Sequence, residues 1–242
     1  MVNVEELLSE AVRLFWTTRS MQHERQGAAT GVKDAGNRAA VTGGKHADGF
    51  IRLVAEIVAD AGLDDFHIHT TEKRKRTLPG YFRAAKEWDV VVTVENTLLA
   101  AVEVKSQVGS FGNNFNNRVE EAIGNASDFW TAYAKGVFDG TARPWLGYLF
   151  MLEEHPMSIA PARPLELSPF KVQRAFQGLS YARRYEEVCK RLVRERLYDA
   201  ACFLTSNRRD GAKGKYSEPA TEIGVKNFAR SLHAHVAATA AI

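Results

Sequence analysis

Between Trp88 and Lys105 the chain carries two aliphatic, β-branched runs, Val90 to Val94 and Leu98 to Val102, joined by Glu95-Asn96-Thr97. Such runs around a short polar connection form a β-hairpin. With those three residues as the loop, Val94 pairs with Leu98, and counting back sets Asp89 opposite Glu103. Opposed residues share a face roughly 5 Å apart, and Glu103 and Lys105 share that face because strand side chains alternate. The count predicts two carboxylates and an ammonium in one spot, a divalent-metal site with a cation beside it. A loop one residue shorter or longer would put Asp89 and Glu103 on opposite faces. An amphipathic strand with one wet face would also read Val102-Glu103-Val104-Lys105. The apolar run Leu98 to Val102 argues instead for a strand covered on both sides, where charges are costly unless paired or metal-bound.

At 242 residues and 45% hydrophobic, the chain can bury a full core, and it is expected to form one domain. Within it, 1–45 reads as an N-terminal helix and mobile loop, 46–152 as the catalytic core, and 153–242 as helices and a strand that complete the domain. The net charge is only +3, yet Lys and Arg cluster at Lys73 to Arg76 and from Arg183 to Arg196, giving local positive fields suited to a polyanion. Cys189 and Cys202 lie in apolar periodic segments outside any CxxC or Cys/His cluster, and read as small buried hydrophobes in a reducing cytoplasm. No apolar run approaches about 18 residues and no signal peptide is evident, so a soluble cytoplasmic protein is expected.

In chain order, Val4 to Thr17 has the spacing of an amphipathic helix, and the glycine-rich stretch from Arg19 to Lys45 reads as a loop. A second helix is expected from Ala47 to Ala61, with Asp48 in its first turn as a dipole partner or a further carboxylate near the metal. Phe66 to Thr71 reads as a strand. Lys73, Arg74, Lys75 and Arg76 then lead through a turn to Arg83, so that phosphate contacts could lie close to the hairpin. After Lys105, the loop holding Asn113, Asn114, Asn116, Asn117 and Arg118 combines side chains that make bidentate contacts to adenine and guanine, while asparagine also caps helices and accepts left-handed turns. Helix is expected from Arg118 to Phe138 and strand from Trp145 to Leu152. A helix from Ser180 to Leu197, a strand from Asp199 to Thr205 and a helix from Thr221 follow. No nucleotide-binding, serine-hydrolase or zincin motif is present.

Asp89, thirteen intervening positions, then Glu103-Val104-Lys105 resembles the PD-(D/E)-x-K nuclease signature, with Trp88 where that signature has proline. The element order matches the αβββαβ core of that superfamily, so the expected fold is mixed α/β (α+β), restriction-endonuclease-like: a central mixed sheet flanked by helices, plus extra helices. LPGYFRAAKEWDV, AAVEVKSQVGSFGNNFNNRVEEAIG and LSYARRYEEVCKRL look like the XhoI-type Type II restriction endonucleases. The resemblance implies a homodimeric, Mg²⁺-dependent bacterial endonuclease that cuts double-stranded DNA at the palindrome CTCGAG with 5′ extensions. Such an enzyme belongs to a restriction-modification system and shares its site with a methyltransferase. It further implies that Asp89, Glu103 and the Val104 carbonyl hold Mg²⁺, that Lys105 serves the attacking water, and that the asparagine loop and Arg118 read bases, while Lys73 to Arg76 and Arg83 stand as phosphate contacts by their charge and position. A DNA-binding protein with structural acids, a repair or structure-specific nuclease on the same fold, and a bland interaction protein stand as alternatives.

Overall fold

The computed structural model describes residues 2–30, 45–62, 66–95, 97–138, 142–163, 167 and 169–239. A five-stranded sheet runs through the molecule: β1 (Phe66–His69), β4 (Val90–Val94), β5 (Thr97–Gln107), β6 (Trp145–Glu153) and β7 (Ala200–Ser206), in that spatial order. The pairs β1/β4 and β4/β5 are antiparallel, and β5/β6 and β6/β7 are parallel. The parallel half is buried on both faces, which is why β6 and β7 read as continuous apolar runs without alternation.

Side-chain alternation divides the core in two. Val90, Val92, Val102, Val104, Leu149, Met151, Cys202 and Leu204 point to one face, packed under α1 (Val4–Thr30), α2 (Asp48–Asp60) and α8 (Val225–Thr239). Val91, Ala101, Leu146, Tyr148, Phe150 and Phe203 point to the other, under α4 (Phe111–Ala134) and α6 (Tyr181–Arg194). Fully burying each large side chain contributes about 1.5–3 kcal/mol, so both layers are firmly seated on the sheet. Single helical turns occur as α3 (Lys73–Arg76), α5 (Pro156–Ile159) and α7 (Arg208–Gly211). Cys189 and Cys202 are buried free thiols.

Four local expectations are corrected. The hairpin connection is tighter than three residues, since Val94 pairs with Thr97 and Glu95 takes a left-handed φ of 53°. A bulge then places Leu99 between the Thr93/Leu98 and Val92/Ala100 pairs, which restores the register to Val90 opposite Val102. The two errors cancel, and Asp89 stands one step beyond that pair, across from Glu103. The first helix continues past Thr17 to Thr30, so the predicted loop from Arg19 begins as helix, and residues 31–44 of it lie outside the described residues. The predicted asparagine loop is helix: α4 starts at Phe111 with Ser110 as its N-cap residue, so neither Asn116 nor Asn117 caps it and the expected start at Arg118 is too late. Burial of Phe111 outweighs the low helix propensity of asparagine there. Finally, the turn expected after Arg76 is a two-stranded antiparallel ribbon, β2 (Thr77–Pro79) with β3 (Ala85–Glu87).

Candidate active site

The strand β5 outruns β4. Beyond the Val90/Val102 pair its last residues have no antiparallel neighbour, and Asp89 occupies the vacated edge. The Asp89 amide donates to the Val102 carbonyl at 3.2 Å, and its Oδ2 accepts from the Val104 amide at 2.7 Å. Residues 102 and 104 direct their N–H and C=O groups to the same side of the strand, so the Val104 carbonyl also opens toward Asp89.

Glu103 is 1% exposed. Its Oε1 lies 2.5 Å from Lys105 Nζ and its Oε2 accepts from Lys86 Nζ at 2.7 Å. Lys86 comes from β3, and its ammonium also sits 4.4 Å from the centre of the Trp88 ring. Burial and the neighbouring Glu103 raise the Asp89 carboxyl above its usual value, against the lowering pull of the Val104 amide, Lys105 and Lys86. Burial lowers Lys105, but the charge and hydrogen bond of Glu103 outweigh it and the ammonium is raised. Two carboxylates and two ammonium groups therefore share a confined space. Hard oxygen donors with a carbonyl beside them suit Mg²⁺ or a similar divalent cation.

A cleft of about 600 Å³ opens over this edge. Its floor is Asp89, Val104 and Lys105; α4 contributes Asn114 and Arg118 to one wall, and α1, α2 and the turn before α2 contribute Arg19, His46 and Asp48 to the other. Three residues that line it, His46, Arg76 and Arg118, each hold one buried nitrogen (Nδ1, Nε and Nε) without a hydrogen-bond partner among the described residues. With Arg19, Arg76, Lys105 and Arg118 in its lining, the cleft suits an oxyanion.

The start of α4 is held over the cleft by the turn that precedes it. The Gln107 amide donates to the Gly109 and Ser110 carbonyls, both at 3.2 Å, while its Oε1 accepts from the Tyr185 hydroxyl. Gly109 donates its N–H to Glu153 Oε2 at 3.0 Å, and it and Ser110 both adopt positive φ, 70° and 47°. That sharp reversal is what aims Asn114 and Arg118 at the cleft.

A family profile described as Restriction endonuclease XhoI matches residues 25–218 of this chain. The chain belongs to the XhoI restriction endonuclease family. It is 46% identical over 216 residues to the Type II restriction enzyme BstVI of Geobacillus stearothermophilus, a match covering 87% of this chain and 95% of that relative. It is 41% identical to the Type II restriction enzyme XhoI of Xanthomonas vasicola over 78% of this chain and 75% of the relative. With AbrI of Azospirillum brasilense the identity is 45%, over 65% and 70%. No solved structure matches the chain. No helix among the described residues is long and apolar enough to cross a membrane.

Within this family member the structure brings together Asp89, Glu103, Lys105 and the Val104 main chain, and sets Asp48, Arg76, Asn114 and Arg118 around the same cleft. Arg76 donates to the Trp88 carbonyl and to Glu87, both at 2.6 Å, and Arg118 Nη1 reaches Glu121 at 2.5 Å. The other predicted contacts are more dispersed. Lys73, Arg74 and Lys75 are exposed on α3, with Lys73 3.5 Å from Glu87 and Lys75 2.8 Å from Glu72. Asn113 and Asn117 are exposed on α4, and Asn116 lines a separate groove with Phe115 and Phe176. Arg83 is exposed and lies against α4, donating to Asp128 at 2.8 Å and to Asn125 at 2.9 Å. Sequence reasoning missed Lys86, Gln107, Glu87, Arg19 and His46. Only Lys86 left a trace, as the charged neighbour of Trp88 and Asp89 in the segment that carries the family resemblance.

Proposed function

We propose that this chain is a Mg²⁺-dependent Type II endonuclease that hydrolyses double-stranded DNA at the palindrome CTCGAG, as a homodimer, leaving 5′-phosphate ends with 5′ overhangs. It acts in the bacterial cytoplasm within a restriction-modification system whose methyltransferase shares the site. The observation that carries the reading is Asp89 and Lys105 at the floor of a cleft with arginines in its walls, with the buried Glu103 held by Lys105 behind them. Asp89, Glu103 and the Val104 carbonyl hold the cation, with Asp48 a further carboxylate on the rim. The bound cation supplies Lewis-acid charge against the scissile phosphate. Lys105 orients the water for in-line attack and offsets charge in the transition state. The water oxygen bonds phosphorus as the bond to the 3′ oxygen breaks, so the phosphate stays on the 5′ end. Arg76 and the exposed Lys73, Arg74 and Lys75 meet backbone phosphates, while Asn113, Asn114, Asn117 and Arg118 are the candidates for base edges. Asn116 and Arg83 lie outside the cleft, Asn116 in the separate groove and Arg83 bound to Asp128 and Asn125.

Digestion of a plasmid holding a single CTCGAG, beside one with that site mutated, tests the reading. Linear product is expected from the first plasmid only, with Mg²⁺ and not with EDTA. Asp89→Ala and Lys105→Met are each expected to lower the rate by about a hundredfold or more. Cutting of both plasmids would keep the metal centre and remove the site assignment, and no cutting of either would remove the enzymatic reading.

A further inference from the structure

Arg19 stands on the inner side of α1, 7% exposed, in the cleft wall that faces Arg118 across the end of β5. A guanidinium presents five N–H donors and keeps its charge at any physiological pH. Among the described residues no hydrogen bond or ion pair engages Arg19. The carboxylate whose charge acts on it, Glu153, is already committed to the Gly109 amide, and Arg208 at the start of α7 adds a like charge. His46 stands in the same wall, edge-on to the Phe15 ring at 5.4 Å, with Nδ1 buried and without a partner. A mostly buried guanidinium with no protein acceptor is costly unless something in the cleft supplies one. An oxyanion in the cleft gives the guanidinium the acceptor that the described residues do not provide. Arg19, the nearby Arg208 and His46 make this wall a poor place for a cation, and it stands apart from the carboxylates that the endonuclease reading assigns to Mg²⁺.

Resting on the endonuclease reading, we propose that Arg19, with His46 beside it, binds a DNA backbone phosphate other than the scissile one and so anchors the duplex on the wall of the cleft opposite Arg118. The guanidinium fork offers two parallel N–H donors to the two non-bridging oxygens of a phosphodiester. Such a contact carries no sequence information and registers as affinity and salt dependence.

The test is equilibrium binding of the full chain to a fluorescent duplex containing CTCGAG and to a scrambled duplex, in EDTA, over a salt series. Arg19→Met is expected to weaken binding to both duplexes alike, by about tenfold, and to lower the slope of log affinity against log salt by about 1. Arg19→Lys should keep the slope and lose part of the affinity. Duplexes with a single neutral methylphosphonate, placed at each position in turn, should include one that weakens wild type but leaves Arg19→Met unaffected. An unchanged slope, with every methylphosphonate costing both proteins equally, overturns the proposal. If Arg19→Met does not fold by circular dichroism, the same scan on Arg19→Lys decides, because a point charge loses less than a bidentate fork at the contacted position and equal losses everywhere overturn the proposal. A wild type that binds DNA but cuts neither plasmid refutes the endonuclease reading alone, whereas a wild type that cuts with an Arg19-independent salt slope refutes this inference alone.

Discussion

Glu103 shares its carboxylate between two ammonium groups that arrive from different strands, Lys105 from β5 itself and Lys86 from the ribbon strand β3. At 1% exposure it has lost nearly all its hydration, so removing either partner leaves charge in a poorly solvated place. Lys86 is the partner whose loss separates positioning from chemistry, since its ammonium packs on Trp88 and touches the far oxygen of Glu103. Lys86→Met is expected to lower stability without divalent ions by about 1–3 kcal/mol, read by denaturant unfolding. Added Mg²⁺ should raise the melting temperature of that variant more than that of wild type, because a bound cation replaces the charge that was removed. Equal Mg²⁺ shifts in the two proteins would show that Lys86 has no part in holding Glu103 ready for metal.

Among the elements, the ribbon β2–β3 bears the most on the site, because it delivers Lys86 and leads directly into Asp89. Its tip is fastened to α4 chiefly through Asp128, with Asn125 also accepting from Arg83 at 2.9 Å. Asp128 Oδ1 accepts from the Tyr81 and Phe82 amides at 2.9 and 2.7 Å, and Oδ2 accepts from Arg83 Nε at 2.8 Å. Gly80 is required there, since a Cβ would lie 2.5 Å from Asp128 Oδ2 and 2.8 Å from the Arg83 carbonyl. Burial raises the Asp128 carboxyl, but the Phe82 amide, Arg83 and the Tyr81 amide together hold it below its usual 3.8. A depressed pKa means stability that is fully present above the unfolded value and lost as pH falls through the folded one. Asp128→Ala is therefore expected to cost about 2–3 kcal/mol at neutral pH. The gap from wild type should stay constant down to about pH 5 and shrink only below the ordinary carboxylate value. A gap that closes between pH 7 and 5 would show that the clamp does not depend on ionised Asp128. Cleavage should fall with it, through the lost placement of Lys86 and Asp89.

At the scale of the whole molecule, a palindromic target mirrors a two-fold axis, and one copy of this chain offers one cleft with one set of cleft-facing Asn114 and Arg118. Double-strand cutting at CTCGAG is expected to require a dimer of about twice 26.9 kDa, seen by sedimentation at the concentrations where cleavage is efficient. Single-strand nicks should accumulate on dilution below the dimer dissociation constant. Linear product from a chain that sediments only as a monomer would sink the dimer reading. The layered build supports rigid presentation of the cleft, because one set of helices seats on each face of the sheet and the cleft's two walls come from opposite layers.

The sequence by itself determined the hairpin, its covered strands and the shared side of Asp89, Glu103 and Lys105. Those follow from a period of two and from β-branched residues that only a sheet buries well. Even the misjudged turn did no harm, since the bulge at Leu99 returned the residue that the tighter connection removed. Tertiary structure alone decided where α4 begins, because burial of Phe111 and the Gln107 brace outweigh what Asn113 to Asn117 prefer locally. It alone brought Lys86 to Glu103, Asp128 to the ribbon tip and Arg19 to the cleft. Local patterns register neighbours one turn or one strand away, whereas these partners meet only when separate layers pack on the sheet, and what selects them is the cost of leaving a buried charge or donor unmatched.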